Sequence, residues 1–245
     1  MRIVVIGGTS AIAQECCNVW LSKGLHELIL TGRDPKGLSR IAKDLRVRHP
    51  QSTIITESFD HLDPKSIKEF VFEVSKKRVD LILIAHGSLT SQVRAAGEVD
   101  YLWHELQVNA SSPITFAELF SNVLEQQGSG QLAIIGSVAG DRGRAINHGY
   151  GAAKAALATY VSGLQHRLAT TKVKVSLIKP GPTRTRMTLN AHVGPSNLAD
   201  PRIVAHQITR GLEKGRRVIY APSAWRLIMF VVRLLPFSVF KLMKF

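Results

Sequence analysis

Two residues four positions apart, Tyr150 and Lys154, could form the chemical centre of a catalytic site. A spacing of four places both side chains on one face of a helix, about one turn apart. A neighbouring ammonium favours the phenolate and would bring the pKa of Tyr150 down from about 10 towards neutrality. A phenol tuned in this way can donate a proton to the alkoxide that forms when a ketone is reduced.

The chain also has a candidate nucleotide-binding turn, because residues 7–13 (GGTSAIA) follow the first apolar run and open a helix pattern. A strand, a tight glycine turn and a helix N-terminus present free backbone N–H groups and a positive dipole end to a pyrophosphate. Arg33 ends the second apolar run, where a guanidinium can pair with a ribose 2′-phosphate. This favours NADPH, with NADH possible; the alternative interpretation of Arg33 is an exposed loop charge.

Over roughly its first 220 residues, the chain resembles the short-chain dehydrogenase/reductase family. The Y-x-x-x-K pair, with Ser137 thirteen residues before Tyr150 and Asn109 in the preceding long helix pattern, is similar to that family's catalytic set. The resemblance implies that Tyr150 donates the proton and that Lys154 also holds the nicotinamide ribose. It further implies that Ser137 holds the carbonyl oxygen and that Asn109 anchors the water through which the lysine regains its proton.

The other motifs of the family occur in order along the chain. Residues 7–13 match G-x-x-x-G-x-G with alanine at the second and third glycines, and Asp60 stands where an Asp lies beside the adenine. Ala85-His86-Gly87 takes the N-A-G position, and we interpret His86 as an ordinary loop histidine replacing Asn. Pro180-Gly181 is similar to the turn by the nicotinamide. The cofactor contacts implied are Gly7, Thr9, Ser10, Ile12, Arg33, Asp60, His61, Ala85, His86, Gly87, Tyr150, Lys154, Pro180, Gly181, Thr183 and Thr185.

A single α/β domain must position these residues, since 245 residues with 45% hydrophobic content suffice for one buried core. Apolar runs alternate with amphipathic stretches, which predicts a doubly wound Rossmann domain with a seven-stranded parallel sheet over 1–221. Cys16 and Cys17 are expected to be packing residues, and they have no metal-ligand spacing. The predicted strands are 2–6, 26–31, 52–57, 79–84, 131–136, 173–179 and 217–220, and the predicted helices 11–23, 36–48, 64–77, 98–126, 149–169 and 200–213.

Charge and hydropathy set the C-terminal tail, residues 222–245, apart from this domain. The chain has a net charge of +14, and residues 201–245 hold nine basic residues against the single acidic Glu213. Apolar residues mixed with tryptophan and cations, interrupted by Arg233 and Pro236, suit a segment lying in an anionic membrane interface rather than spanning it. The alternatives are a helix that closes the pocket and a subunit contact. Because the chain opens on a strand with no leader, we expect a cytoplasmic protein, peripheral on the inner face of the membrane.

Arg142, Arg144 and His148 lie between Ser137 and Tyr150 and are the candidate substrate contacts. The arginines could hold a phosphate or an acidic sugar, or Arg142 could pair with Asp141 as a loop brace; His148 is expected at the pocket rim. Short stretches around these residues and in the tail resemble a branch of the family that reduces a keto-pentose on a polyprenyl phosphate, which implies a partner oxidase.

Two other functions remain open. A soluble or lipid-like ketone (a ketoacyl thioester, a steroid or a small ketone) is the alternative substrate, with the tail as a lid. A non-catalytic nucleotide-sensing or nucleic-acid-binding protein fits an intact Asn-Ser-Tyr-Lys set poorly, so no nucleic-acid partner is expected. A homo-oligomer is expected.

Overall fold

The computed structural model describes residues 1–189 and 198–243, in which seven parallel strands form one sheet in the order β3-β2-β1-β4-β5-β6-β7. This confirms the predicted doubly wound sheet. The order reverses between β1 and β4, which in open α/β sheets opens a crevice at the carboxyl ends of the strands. The strands are β1 Arg2–Ile6, β2 Glu27–Gly32, β3 Thr53–Ser58, β4 Leu81–Ile84, β5 Ser129–Ile135, β6 Lys172–Pro180 and β7 Val218–Ala221.

Helices cover both faces of the sheet, so the central strands are apolar on both sides. One core layer packs α1, α2 and α9 against the sheet, and the other packs α3, α6 and α7 against its opposite face. The helices are α1 Ala11–Leu21, α2 Pro35–Arg48, α3 Pro64–Val74, α4 Gln92–Gly97, α5 Val99–Leu106, α6 Ser112–Gln127, α7 His148–Arg167, α8 Arg186–Leu189, α9 Pro201–Glu213, α10 Trp225–Leu234 and α11 Phe237–Phe240.

The predicted helix 98–126 is observed as a helical run without a gap from Val99 to Gln127, but its helix type changes on the way. It consists of α5, a π-helical segment Gln107–Ser111 and α6, and α4 precedes it. Pro113 explains the π-helical segment, because it has no N–H to donate to the carbonyl of Asn109, four residues earlier. The Ser112 N–H instead bonds the Gln107 carbonyl, five residues back, and the helix widens around Asn109. Single-turn π segments of this kind are frequent at functional sites.

The tail forms α10 and α11 and packs on the domain through one side only. Met229 and Val232 are buried against Val138, with Tyr220, Trp225 and Phe240 partly buried around them. The opposite side is exposed and apolar. Within residues 1–189 and 198–243, no helix has the length and apolar content needed to cross a bilayer. The exposed tail residues are Leu227, Ile228, Phe230, Val231, Leu234, Phe237, Val239, Leu242 and Met243.

Candidate active site

A cleft of about 1240 Å³ opens at the carboxyl ends of the strands, and most of the predicted site residues line it. Its volume exceeds the range of roughly 300–1,000 Å³ of drug-sized ligand pockets, so it has room for a dinucleotide and a substrate together. The predicted residues that line it are Gly7, Thr9, Ser10, Ile12, Arg33, His61, Ala85, His86, Gly87, Ser137, Arg144, Tyr150, Lys154, Pro180, Gly181, Thr183 and Thr185.

The glycine turn after β1 fits a pyrophosphate. Gly7 has φ +88°, and a Cβ there would lie 2.5 Å from the backbone nitrogen of His86, so only glycine suits this position. The N–H groups of Gly7 and Gly8 donate to the Thr31 carbonyl at 3.0 and 2.8 Å, which closes the turn against β2. Helix α1 then begins at Ala11 with no acidic residue in its first turn. Its positive end is therefore not neutralised from within.

Arg33 directly follows β2, the strand against which this turn closes. Its side chain is exposed and borders the cleft. Burial is the main cause that lowers the pKa of His61 to about 4, and the positive charge of Arg33 adds to it. Arg40, in α2, also lines the cleft, and no motif in the sequence indicated it.

A pair of histidines, His61 and His86, lines the cleft with ring centroids 5.3 Å apart. The His61 Nε2 lies 3.0 Å from the Thr31 hydroxyl, and the His86 Nε2 lies 2.8 Å from the Ser112 hydroxyl. Because Ser112 donates its own proton to the His61 carbonyl at 2.5 Å, it accepts from His86. Burial lowers the pKa of His86 well below its usual range. His86 is thus no ordinary loop histidine. Aligned on Gly87, moreover, it stands at the alanine of N-A-G, and Ala85 stands at the asparagine.

The proposed proton donor and its neighbours meet at the middle of the cleft. Ser137 lies two residues after the end of β5, and its hydroxyl accepts from the Ala139 N–H at 3.1 Å. Tyr150 lies in the first turn of α7, and one turn later Lys154 is 97% buried, its exposed fraction being 3%. The Lys154 Nζ donates to the Ile135 carbonyl at 3.3 Å and lies 5.7 Å from the centre of the Tyr150 ring.

Burial shifts both titrating groups towards their neutral forms. It raises the pKa of Tyr150 to about 12, an effect that the hydrogen bond with Ser137 partly offsets. It lowers the pKa of Lys154 to about 8, so the amine still carries its proton at neutral pH. The direction for Tyr150 is opposite to the sequence expectation, because burial, which removes the phenolate from water, is the largest cause of the shift. A phenol that keeps its proton suits a donor in the direction of ketone reduction.

Asn109 lies behind this pair, fully buried in the π-helical segment. Its Oδ1 accepts from the Ser88 N–H at 3.0 Å. A Cβ at Gly87 would lie 2.9 Å from this oxygen and 3.4 Å from the Lys154 Nζ. Glycine at 87 therefore keeps open the small space between the amide oxygen and the ammonium.

The turn after β6 closes the other end of the cleft. Thr183 is buried, and its hydroxyl donates to the Gly181 carbonyl at 2.9 Å, while Thr185 borders the cleft. The indole of Trp225 covers Gly181 so closely that a Cβ there would lie 2.0 Å from its Nε1. The first residue of α10 therefore fixes the position of this turn.

Four predicted residues do not line the cleft: Asn109, which lies behind the Tyr150–Lys154 pair, and Asp60, His148 and Arg142. Asp60 accepts from the Leu62 N–H at 2.9 Å and so shapes its own loop, and His148 is exposed with its Nδ1 3.2 Å from the Ala145 carbonyl. Arg142 turns to the tail instead: it donates to the carbonyls of Val232 and Leu235 at the end of α10 and stacks 3.7 Å from the Phe240 ring centre. Asp141 is not its partner, because that carboxylate pairs with Lys179 and accepts from the Tyr220 hydroxyl at 2.8 Å.

The rim of the cleft contains residues that the sequence analysis did not single out. Val93 and Ile146 are 88% and 53% exposed there, and Met187 is 39% exposed. Arg186, at the start of α8, adds a second cation to that of Arg144. The loops that hold them are distant in sequence, so no local pattern indicated that they share a rim.

Comparison with known proteins agrees with this geometry. Residues 1–194 match the family model described as short chain dehydrogenase. An uncharacterised oxidoreductase of Streptomyces coelicolor is 30% identical over 241 residues, which are 98% of this chain and 94% of the relative.

Two solved structures share the fold. A short-chain dehydrogenase of Sphingobium yanoikuyae in complex with NADPH has a TM-score of 0.83 at 19% identity, covering 100% of this chain and 97% of that one. One from Burkholderia cenocepacia in complex with NADP has a TM-score of 0.79 at 20% identity, covering 96% and 98%. The chain therefore belongs to the short-chain dehydrogenase family of NAD(P)-dependent oxidoreductases.

Proposed function

We propose that the protein reduces a ketone to a secondary alcohol with NADPH. The observation that carries the proposal is the convergence of Ser137, Tyr150 and Lys154 on one cleft that also holds a glycine turn and Arg33. NADPH, when bound, supplies the hydride that becomes attached to the carbonyl carbon. Ser10 and the N-terminus of α1 would hold its pyrophosphate, Arg33 its 2′-phosphate, and Lys154 its nicotinamide ribose.

The chain's own residues donate the proton and allow it to be replaced. Ser137 donates a hydrogen bond to the carbonyl oxygen and orients it towards Tyr150. As the C=O π bond breaks, its electron pair moves to the oxygen, which takes the phenolic proton of Tyr150 and leaves a phenolate. The Lys154 ammonium stabilises that phenolate, and solvent returns the proton through the space beside Asn109. The product is the neutral alcohol.

Cofactor choice is assigned to Arg33. Replacing Arg33 with alanine should lower kcat/KM for NADPH by about tenfold to a hundredfold, the effect of losing a hydrogen bond to a charged group, and should leave kcat/KM for NADH within about twofold. Initial rates with each cofactor measure this, with Arg210→Ala on α9 as the matched control. If the unmodified protein uses NADPH and NADH with equal kcat/KM, Arg33 is an exposed loop charge and does not select the cofactor.

The substrate proposed is an amphiphilic ketone that carries an anionic group, namely a keto-pentose on a polyprenyl phosphate. Support comes from the two rim cations, Arg144 and Arg186, and from the exposed apolar residues Val93, Ile146 and Met187 beside them. A phosphate pairs with the cations, and a polyprenyl chain covers the apolar residues. Such a keto-sugar must first be formed from the alcohol, so the proposal includes a partner oxidase.

A free or lipid-like ketone without a phosphate is the second candidate, which the apolar rim favours equally. The two differ in their need for the cations. If the phosphate proposal is right, Arg144→Ala and Arg186→Ala should lower kcat/KM for the polyprenyl-phosphate keto-pentose but not for a neutral bicyclic ketone such as decalone. Equal effects on both substrates, or activity only on decalone, would favour the second candidate.

The exposed side of the tail is proposed to lie on an anionic membrane surface at the inner face of the cell membrane. Support comes from nine exposed apolar residues, which lie in α10 and α11 and at Leu242 and Met243. Arg226, Arg233 and Lys241 lie among them, and residues 222–243 contain no acidic residue. Such a surface can bury apolar side chains among lipid headgroups while its cations meet anionic lipids. The protein is also expected to form a homo-oligomer, as members of the family often do.

A further inference from the structure

A buried carboxylate behind the active site has no role in the proton transfer described above. Glu105, on the last turn of α5, is 94% buried, its exposed fraction being 6%. Burying a carboxylate is unfavourable unless hydrogen bonds compensate for the lost water. Here the hydroxyls of Ser88 and Thr90 donate to its Oε2 at 2.7 and 2.9 Å.

The third donor to this carboxylate is the side chain of Asn109. The Asn109 Nδ2 lies 3.4 Å from the Glu105 Oε2 and 3.1 Å from the Glu105 carbonyl. It also donates to the Ser88 hydroxyl at 3.2 Å, which is free to accept because its own proton points to Glu105. All three neighbours of the Nδ2 are therefore acceptors.

This arrangement fixes which end of the Asn109 amide faces Lys154. A flipped amide would place its oxygen against the carboxylate and its NH₂ group against the Ser88 N–H, which are two unfavourable contacts. In the unflipped form, the Oδ1 borders the space kept open by Gly87, with the Lys154 Nζ on the other side. An acceptor beside an ammonium stabilises it, whereas an NH₂ group there would oppose it.

We propose that Glu105 is a positioning residue for the reductase site, because it holds the Asn109 amide with its oxygen towards Lys154. The proposal depends on the assignment of Tyr150 and Lys154 to proton transfer. The titratable groups that face this region are Tyr150 and Lys154 on α7, His86 after β4, and Glu105 on α5. Of these, His86 is kept neutral by burial.

The direct test is an NMR titration of the ¹⁵N-labelled Lys154 amine, assigned with Lys154→Met, in the full chain without substrate. Glu105→Gln should lower the pKa of Lys154 by at least about half a unit, because an amide can present its NH₂ group to Asn109 and release the flip. It should also lower kcat for decalone reduction about tenfold, with KM for NADPH within twofold. Glu98→Gln, an exposed glutamate at the start of the same helix, is the matched control.

Ser88→Ala separates positioning from simple loss of charge, because it removes the hydroxyl that accepts from the Asn109 Nδ2 and donates to Glu105, while the carboxylate remains. It should shift the Lys154 titration in the same direction by a smaller amount, and it carries the test alone if Glu105→Gln does not fold. If the pKa of Lys154 shifts in Glu105→Gln but not in Ser88→Ala, the effect is explained by the lost charge alone and the proposal is overturned. An unchanged pKa of Lys154 in both variants would also overturn it. Because the titration needs no substrate, a failure to reduce any ketone would count against the proposed function only.

Discussion

Replacing Tyr150 with phenylalanine should lower turnover by at least about a hundredfold while NADPH binding stays within about twofold of the unmodified protein. The size of the loss is that of removing a positioned general acid. Binding should persist because the glycine turn, Arg33 and Lys154 are untouched by the change. Steady-state rates of NADPH oxidation with a ketone measure the first quantity, and fluorescence titration of NADPH measures the second.

Tyr160→Phe is the matched control for this variant. Tyr160 is on the same helix, but its hydroxyl donates to Glu118 rather than facing the cleft. It should therefore keep normal turnover. Near-normal turnover of Tyr150→Phe would contradict the assignment of the proton donor, and so would equal losses in the two variants.

Changing two exposed tail residues together, Phe230→Glu and Phe237→Glu, should weaken binding to anionic vesicles by more than about a hundredfold. Each phenylalanine contributes about 1.5–3 kcal/mol when it leaves water, and each added glutamate repels the anionic surface. Reduction of a soluble ketone should be unchanged, because neither side chain contributes to the buried side of the tail. Co-sedimentation with vesicles of equal phosphatidylcholine and phosphatidylglycerol measures binding.

Substitution is preferable to deleting the tail, because Trp225 covers Gly181 and because Met229 and Val232 are buried against Val138. A deletion would expose the apolar surface that these residues cover next to Ser137. A loss of stability could then not be distinguished from a loss of vesicle binding. The control is Val47→Glu with Phe72→Glu, two exposed apolar residues outside the tail. If the unmodified protein ignores vesicles, and the tail variant instead changes the oligomeric state, the tail is a subunit contact and not a membrane surface.

The sequence predicted most of the fold, since near-continuous apolar strands are bounded by local signals. Asp63-Pro64 and Asp200-Pro201 each start a helix, with the aspartate accepting from backbone N–H groups of the first turn. The π-helical segment at Asn109 was missed, although Pro113 marks it. A proline inside a helix pattern cannot donate to the carbonyl four residues earlier, so it predicts a local change in the helical hydrogen bonds.

The meeting of Tyr150, Lys154 and Ser137 at one cleft was predictable, because the first two share one helix and Ser137 lies two residues after β5. The orientation of Arg142 was not predictable, because its partners Val232 and Leu235 lie some ninety residues later in the chain. The role of Glu105 was hidden for the same reason, since Ser88 and Thr90 belong to the loop after β4. Local sequence indicates on which element a residue lies, but contacts between segments that are distant in sequence decide the orientation of its side chain.

Transfer of a hydride from NADPH to a ketone at this site can be followed with an isotope label. The protein should be incubated with NADPH deuterated at the transferable position of C4 and with the polyprenyl-phosphate keto-pentose or decalone, and the product analysed by mass spectrometry. We expect an alcohol one mass unit heavier, with deuterium on the new carbinol carbon, and no such product with Tyr150→Phe under the same conditions. Unlabelled alcohol, or no alcohol from either ketone while NADPH remains bound, would contradict it.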